Sequence, residues 1–150
     1  MHMAIHPWID RGSVFLVYIL ALPIAMESVK LVLPKKALVR WRGQTVPIAN
    51  RYGDVHNGFT YLINVSVPGK GLVQDKHVTI GQLMAELCEH AAFCVGDALE
   101  LPQGTWFVLA RWWHLRKGCI FYRICADRDG KGRNWRVAQD DLVQRTQVAA

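Results

Sequence analysis

Between residues 96 and 145 the chain alternates short apolar runs with turn-forming residues, and it places four of its six tryptophans there. The runs at 97–101, 105–114 (TWFVLARWWH), 119–126 (CIFYRICA) and 134–137 (NWRV) suit strands and are too closely punctuated for helices. Pro102-Gln103-Gly104 makes the first turn, residues 115–118 a second one rich in basic groups, and Asp129-Gly130 centres a hairpin connection over 127–132. Asp140-Asp141-Leu142 closes the region as a turn. This spacing predicts a tightly twisted antiparallel β meander built around indole rings.

Upstream, residues 37–42 (ALVRWR) and 45–49 (TVPIA) read as two short strands around Gly43-Gln44, the second an edge strand because Pro47 has no N–H. Residues 50–58 (NRYGDVHNG) read as a loop. In 59–67, Phe59, Tyr61, Ile63, Val65 and Val67 alternate onto one face, and Pro68-Gly69-Lys70-Gly71 ends the strand. A helix is predicted over 80–94. Thr79 and Gln82 have capping-box spacing, and Ile80, Leu83, Met84, Leu87, Cys88 and Ala91 form one apolar stripe, with Cys94 returning to it. The fold class expected is therefore α+β: an antiparallel β meander or barrel with one main amphipathic helix, about 80–94, packed on it. Residues 27–150 are expected to form a single globular domain.

The order Gly96-Asp97, a Leu-Pro-x-Gly turn, Trp106-x-Val108, Tyr122-x-Ile124, an Asp-Gly turn, Trp135-x-Val137 and Asp140-Asp141-Leu142 resembles the small SH3-like barrels of many bacterial proteins and of chromatin- and nucleic-acid-binding modules. The resemblance covers a third of the chain, about residues 96–145. It implies binding of peptides, proteins or nucleic acid, and it carries over no catalytic residue. The helix and the strands before it lie outside that pattern.

Residues 14–26 (VFLVYILALPIAM), from Val14 through to Met26, carry no charge. Three readings stand: a signal or membrane anchor, an over-called start with Met26 as the true initiator, or a core element of the domain. A cytoplasmic location is favoured, with anchoring or export as the alternative. Cys119 and Cys125 on one strand lie about 20 Å apart. Cys88 and Cys94 on one helix lie about 9 Å apart along its axis. Neither pair is expected to bond, and buried free thiols are expected.

The net charge of +6 is unevenly spread: residues 28–51 hold six basic groups and no acid, 52–100 sum to −4, and 106–136 sum to +6. Two basic segments thus flank an acidic one, a pattern suited to a polyanion or an acidic protein surface. On strand 105–114 strict alternation puts Trp106, Val108, Ala110 and Trp112 on one face and Phe107, Leu109, Arg111 and Trp113 on the other. Trp106, Trp112 and Trp135 are assigned to the core. Trp113 beside Arg111 either covers the helix or offers a stacking platform.

Chemistry finds little support in the spacing. Cys88-x-His90-x3-Cys94 does not converge on a helix, so no metal is expected, and no cofactor or catalytic residue is assigned. Asp127-x-Asp129-Gly130 lacks the remaining EF-hand ligands. What remains is a basic, tryptophan-interleaved surface of Arg40, Trp41, Arg42, Arg111, Trp113, Arg116, Lys117, Lys131, Arg133 and Arg136. The expected function is a non-enzymatic binding protein taking single-stranded nucleic acid or an acidic protein. The alternative is a protein-interaction or assembly module, tethered to a membrane through residues 14–26. A polyanion ligand requires the two basic segments to meet side by side in the fold with their indole rings not wholly buried.

Overall fold

The computed structural model describes residues 32–149 and, as backbone, Leu16–Val17. The molecule is mostly β: two antiparallel sheets and two short helices share one apolar core. The first sheet is a meander of β2 (Leu38–Trp41), β3 (Gln44–Asp54), β4 (Gly58–Val67) and β5 (Gly71–Val78), lying side by side in chain order. Helix α1 (Ile80–His90) follows. The second sheet holds β6 (Ala98–Leu101), β7 (Gly104–His114), β8 (Cys119–Cys125) and β9 (Asn134–Ala138), and α2 (Gln139–Ala149) ends the described chain. Strand β1 (Leu16–Val17) pairs with Trp113 and His114 of β7. The rest of residues 14–26 lies outside the described residues. Among those described, no helix is long and apolar enough to cross a membrane.

This corrects the expected α+β barrel. The meander at 96–145 forms with the expected strands, but its order β6-β7-β8-β9 stays open and does not close into a barrel. Helix α2 packs on β6, β8 and β9 instead. Asp140 and Asp141, read from sequence as part of a turn, sit in the first turn of α2, where they complement the helix dipole, and Leu142 anchors it fully buried. The single main helix is thus one of two, and it is shorter than expected.

The other differences are local. Residues 50–54 continue β3 instead of looping, and the turn formers gather at the β3–β4 tip. There Asp54 Oδ1 accepts the N–H groups of His56 and Asn57, each at 2.8 Å. Gly53, at φ +105°, passes so close to Gly58 that a Cβ would lie 2.1 Å from its carbonyl oxygen. Pro47 lies on an interior strand, yet β3 pairs with β4 only from Ile48 onward, so its missing donor faces no ladder. Strand β5, unforeseen in the sequence reading, has an exposed Leu72.

The capping box of α1 forms as expected: Gln82 N donates to Thr79 Oγ1 (3.1 Å) and Thr79 N to Gln82 Oε1 (2.9 Å). The helix stops at His90, not 94, because the chain leaving it finds side-chain partners. Ala92 N donates to Gln139 Oε1 (2.9 Å), Phe93 N to the Tyr122 hydroxyl (3.3 Å), and Gln139 Nε2 to the His90 carbonyl (3.0 Å). The Tyr122 hydroxyl in turn donates to Gln139 Oε1.

Strand β7 carries a bulge between Val108 and Ala110, where its register against β8 slips by one residue. Beyond it the faces exchange. Val108, Arg111 and Trp113 lie opposite Ile124, Tyr122 and Ile120, the core face of β8. Trp112 moves to the other face, stacked on Phe121 at 6.1 Å between ring centroids. Strict alternation over 105–114 therefore fails after Val108.

The sheets are joined at Trp113. Its Nε1 donates to the Leu38 carbonyl (2.8 Å) while Leu38 N donates to the Leu115 carbonyl (2.8 Å). Replacing Trp113 by Phe removes that buried bond along with packing volume. A loss of about 2–3 kcal/mol in urea unfolding free energy is expected, against under about 1 kcal/mol for Trp135→Phe on the half-buried β9.

Candidate nucleic-acid interface

The arginine-and-tryptophan surface read from sequence is divided by the fold. In the β2–β3 hairpin, Arg42 and Gly43 both take positive φ (50° and 76°), as a tight mirror-image turn requires. Their N–H groups donate to the two carboxylate oxygens of Glu86 on α1, at 2.7 and 3.1 Å. The Arg42 side chain makes a bidentate pair with Asp75 of β5, Nε to Oδ2 at 2.5 Å and Nη2 to Oδ1 at 3.2 Å. Trp41 Nε1 donates to the same carboxylate at 2.7 Å. These bonds hold the Asp75 carboxyl below the usual carboxylate range and raise the Arg42 guanidinium. Trp41 and Arg42 thus clamp the hairpin to its neighbours.

Arg111 and Trp113 are 9% and 1% exposed, so neither forms the expected surface platform. Arg40 donates to Thr45 Oγ1 (3.3 Å). Arg116 and Lys117 sit in the β7–β8 turn, where their backbone N–H groups donate to His114 Nδ1 (3.3 and 3.1 Å). The Lys117 ammonium lies 5.3 Å from the Phe121 ring centre. That turn rests on β2 and β3: a Cβ on Gly118 would meet Thr45 Cγ2 at 2.7 Å. The first basic segment therefore meets residues 116–117. Lys131 and Arg133 lie at the other end of β8, about 20 Å away along the strand. Arg136 is on β9 opposite Arg123. The two basic segments meet at one end only and do not make a single surface.

A second arrangement exists at that far end. An open groove of about 310 Å³ is lined by Gln103 from the β6–β7 turn, Trp106 of β7, Arg133, Asn134 and Trp135 at β9, and Arg145 of α2. Trp106 is buried and floors it, while Trp135 is half-buried and presents its ring. The Arg145 guanidinium stands 4.5 Å from the Trp135 ring centre. Asn134 is tied down: Nδ2 donates to the carbonyls of Gly130 (3.1 Å) and Gly132 (2.8 Å), and Oδ1 accepts Arg123 Nε (2.8 Å). It thereby fixes the loop on which Arg133 is carried. The lining offers two guanidinium groups, indole surface and amides, with no acid and no nucleophile. Such a set is suited to an anion beside a flat ring.

Of the residues expected from sequence only Arg133 lines this groove. Arg145 was missed because its helix was read as a turn; the Asp-Asp pair before Leu142 and Val143 was the available signal. Trp106 and Trp135 had been assigned wholly to the core. The four cysteines are free, and Cys88 and Cys94 are exposed instead of buried. Among the described residues, no group of three or more His, Cys, Asp or Glu is placed to hold a metal ion. Comparison with known proteins finds no matching family model, no similar curated protein and no similar solved structure.

His90, at the end of α1, is held below its ordinary pKa by burial and by Arg40, with Asp140 and Glu86 opposing. The folded state therefore takes up its proton less readily than the unfolded chain. Its contribution is intact above about pH 6.5 and is lost as the pH falls below that value through the depressed folded pKa. The urea midpoint of the wild type should drop more between about pH 7.5 and pH 5 than that of His90→Asn. Parallel curves for the two proteins would show that His90 does not carry this dependence.

Proposed function

We propose that this protein is a non-enzymatic binding protein that takes single-stranded nucleic acid at the groove between β9 and α2. The observation that carries the reading is the stack of Arg145 on Trp135 with Arg133 beside it, in a lining that holds no acid. A base lies against the indole face and gains about 1–3 kcal/mol from stacking, whatever its sequence. The guanidinium groups of Arg133 and Arg145 meet the flanking phosphates, which fixes position without reading bases. Lys131 stands exposed on the same loop as Arg133 and extends the path of the backbone. A volume near 310 Å³ is at the small end for ligand sites and suits one planar ring with its phosphates outside.

An acidic peptide would meet the same two arginines, and Trp135 separates the cases. Fluorescence anisotropy with a short labelled oligonucleotide is the direct measurement. Affinity should fall steeply as salt rises from about 50 to 200 mM, and Arg133→Ala and Arg145→Ala should each reduce the salt slope by about one unit. Trp135→Ala should weaken oligonucleotide binding by about 5- to 150-fold while leaving a poly-glutamate peptide unaffected. Binding that ignores salt, or that survives loss of both arginines, would sink the proposal.

A further inference from the structure

The Trp135 ring is engaged on two sides. From β9 it packs, half-buried, against the core cluster. Over the ring stands the Arg145 guanidinium, 4.5 Å from its centre. Both residues line the groove, so Arg145 lies where an incoming flat ring has to stack. The two ends of this contact differ in freedom. Trp135 is fixed in the sheet opposite Ile124 of β8. Arg145 leaves α2 one turn beyond the fully buried Leu142, so its backbone is held while its side chain is exposed. Among the described residues no ion pair includes Arg145 or Arg133. No ring contact joins Arg133 to Trp135. An exposed cation over an indole shifts an equilibrium by only about 2- to 5-fold. Hydrogen bonds from a guanidinium to a phosphate are worth more than that, about 10-fold and upward. A phosphate can therefore draw Arg145 off the ring, and an uncharged ligand gives it nothing to move to.

We propose that Arg145 is a gate on Trp135 that a phosphate opens, so that the groove selects a base carrying its phosphate over the bare nucleoside. The ligand class is the phosphorylated nucleotide, free or within a single strand, and the residue that sets the selection is Arg145. This rests on the groove being a nucleic-acid site and adds how that site chooses. In the structure the guanidinium covers the indole. As a nucleotide enters, the guanidinium swings onto the phosphate oxygens, and the base takes its place against the ring. A nucleoside has to displace the same guanidinium with no acceptor to receive it. Arg133 adds charge beside the phosphate and leaves the ring alone. The two arginines thus act differently: one attracts, while the other both attracts and covers.

The test titrates the full chain with adenosine and with adenosine monophosphate, following the indole N–H resonance of Trp135, which Trp135→Phe identifies by its loss. The wild type should bind the monophosphate at least about tenfold more tightly than adenosine. In Arg145→Ala the monophosphate should bind about tenfold more weakly, and adenosine about 2- to 5-fold more tightly, than in the wild type. Arg145→Met keeps a flexible chain over the ring without the charge; it should lose the monophosphate and gain no adenosine. Arg133→Ala should weaken the monophosphate and leave adenosine unchanged. A short labelled oligonucleotide, measured on the same wild-type protein, separates the two claims. If it binds while Arg145→Ala leaves adenosine unchanged or weaker, the gate is overturned and the nucleic-acid site stands. If the wild type binds no oligonucleotide, both are overturned.

Discussion

The Tyr122 hydroxyl and the Gln139 carboxamide hold the upper layer of the molecule together. Tyr122 sits at the centre of β8 with no exposure, and burial raises its phenol above the ordinary value. From there it accepts the Phe93 N–H and donates to Gln139, which also receives the Ala92 N–H and reaches the His90 carbonyl. Two side chains thereby terminate α1, begin α2 and seat the connection to β6. A buried backbone group left without a partner costs about 1–3 kcal/mol, so several left together would rival the whole stability of a domain this size. The open sheet tolerates its lack of closure because α2, started by Gln139, lies over β6, β8 and β9.

The cations divide between architecture and surface. Arg42 is committed to Asp75, and Arg111 to the exit of α1. Charge patterning along a sequence cannot distinguish these uses, because a basic run looks the same whether an acid from a distant strand meets it or not. Here Asp75 and Glu86, both in the acidic middle segment, come back to the first basic hairpin and consume it. Arg133 and Arg145 instead share a groove whose lining holds no acid.

Local chemistry was well legible in the sequence. The capping box at Thr79 and Gln82, the alternating face of β4 and the turns that link β6 to β7, β7 to β8 and β8 to β9 all follow from short-range rules and formed as read. What was not legible depends on partners distant in the chain. Helix α1 ends early because Tyr122 and Gln139 arrive from elsewhere, and α2 exists because Leu142 finds the second sheet. Strand β5 is short of alternation, with Asp75 turned to Arg42 and Trp41 rather than to solvent. The groove combines a turn, two strands and a helix whose separate sequences carry no shared motif, so only one of its residues was foreseen.

The slip in β7 has a wider meaning. Both faces of that strand are apolar enough to be buried, so hydrophobic pattern alone leaves two nearly equivalent alignments against β8. In one, Ala110 and Trp112 would turn inward; in the other, Arg111 and Trp113 do. A carbonyl waiting at Phe93 and another at Leu38 distinguish the two, since each is answered only by the second alignment. Polar groups therefore act here as the key that selects one pairing from a pair of greasy near-equals, which is how a strand with four consecutive buried residues still reaches a unique structure.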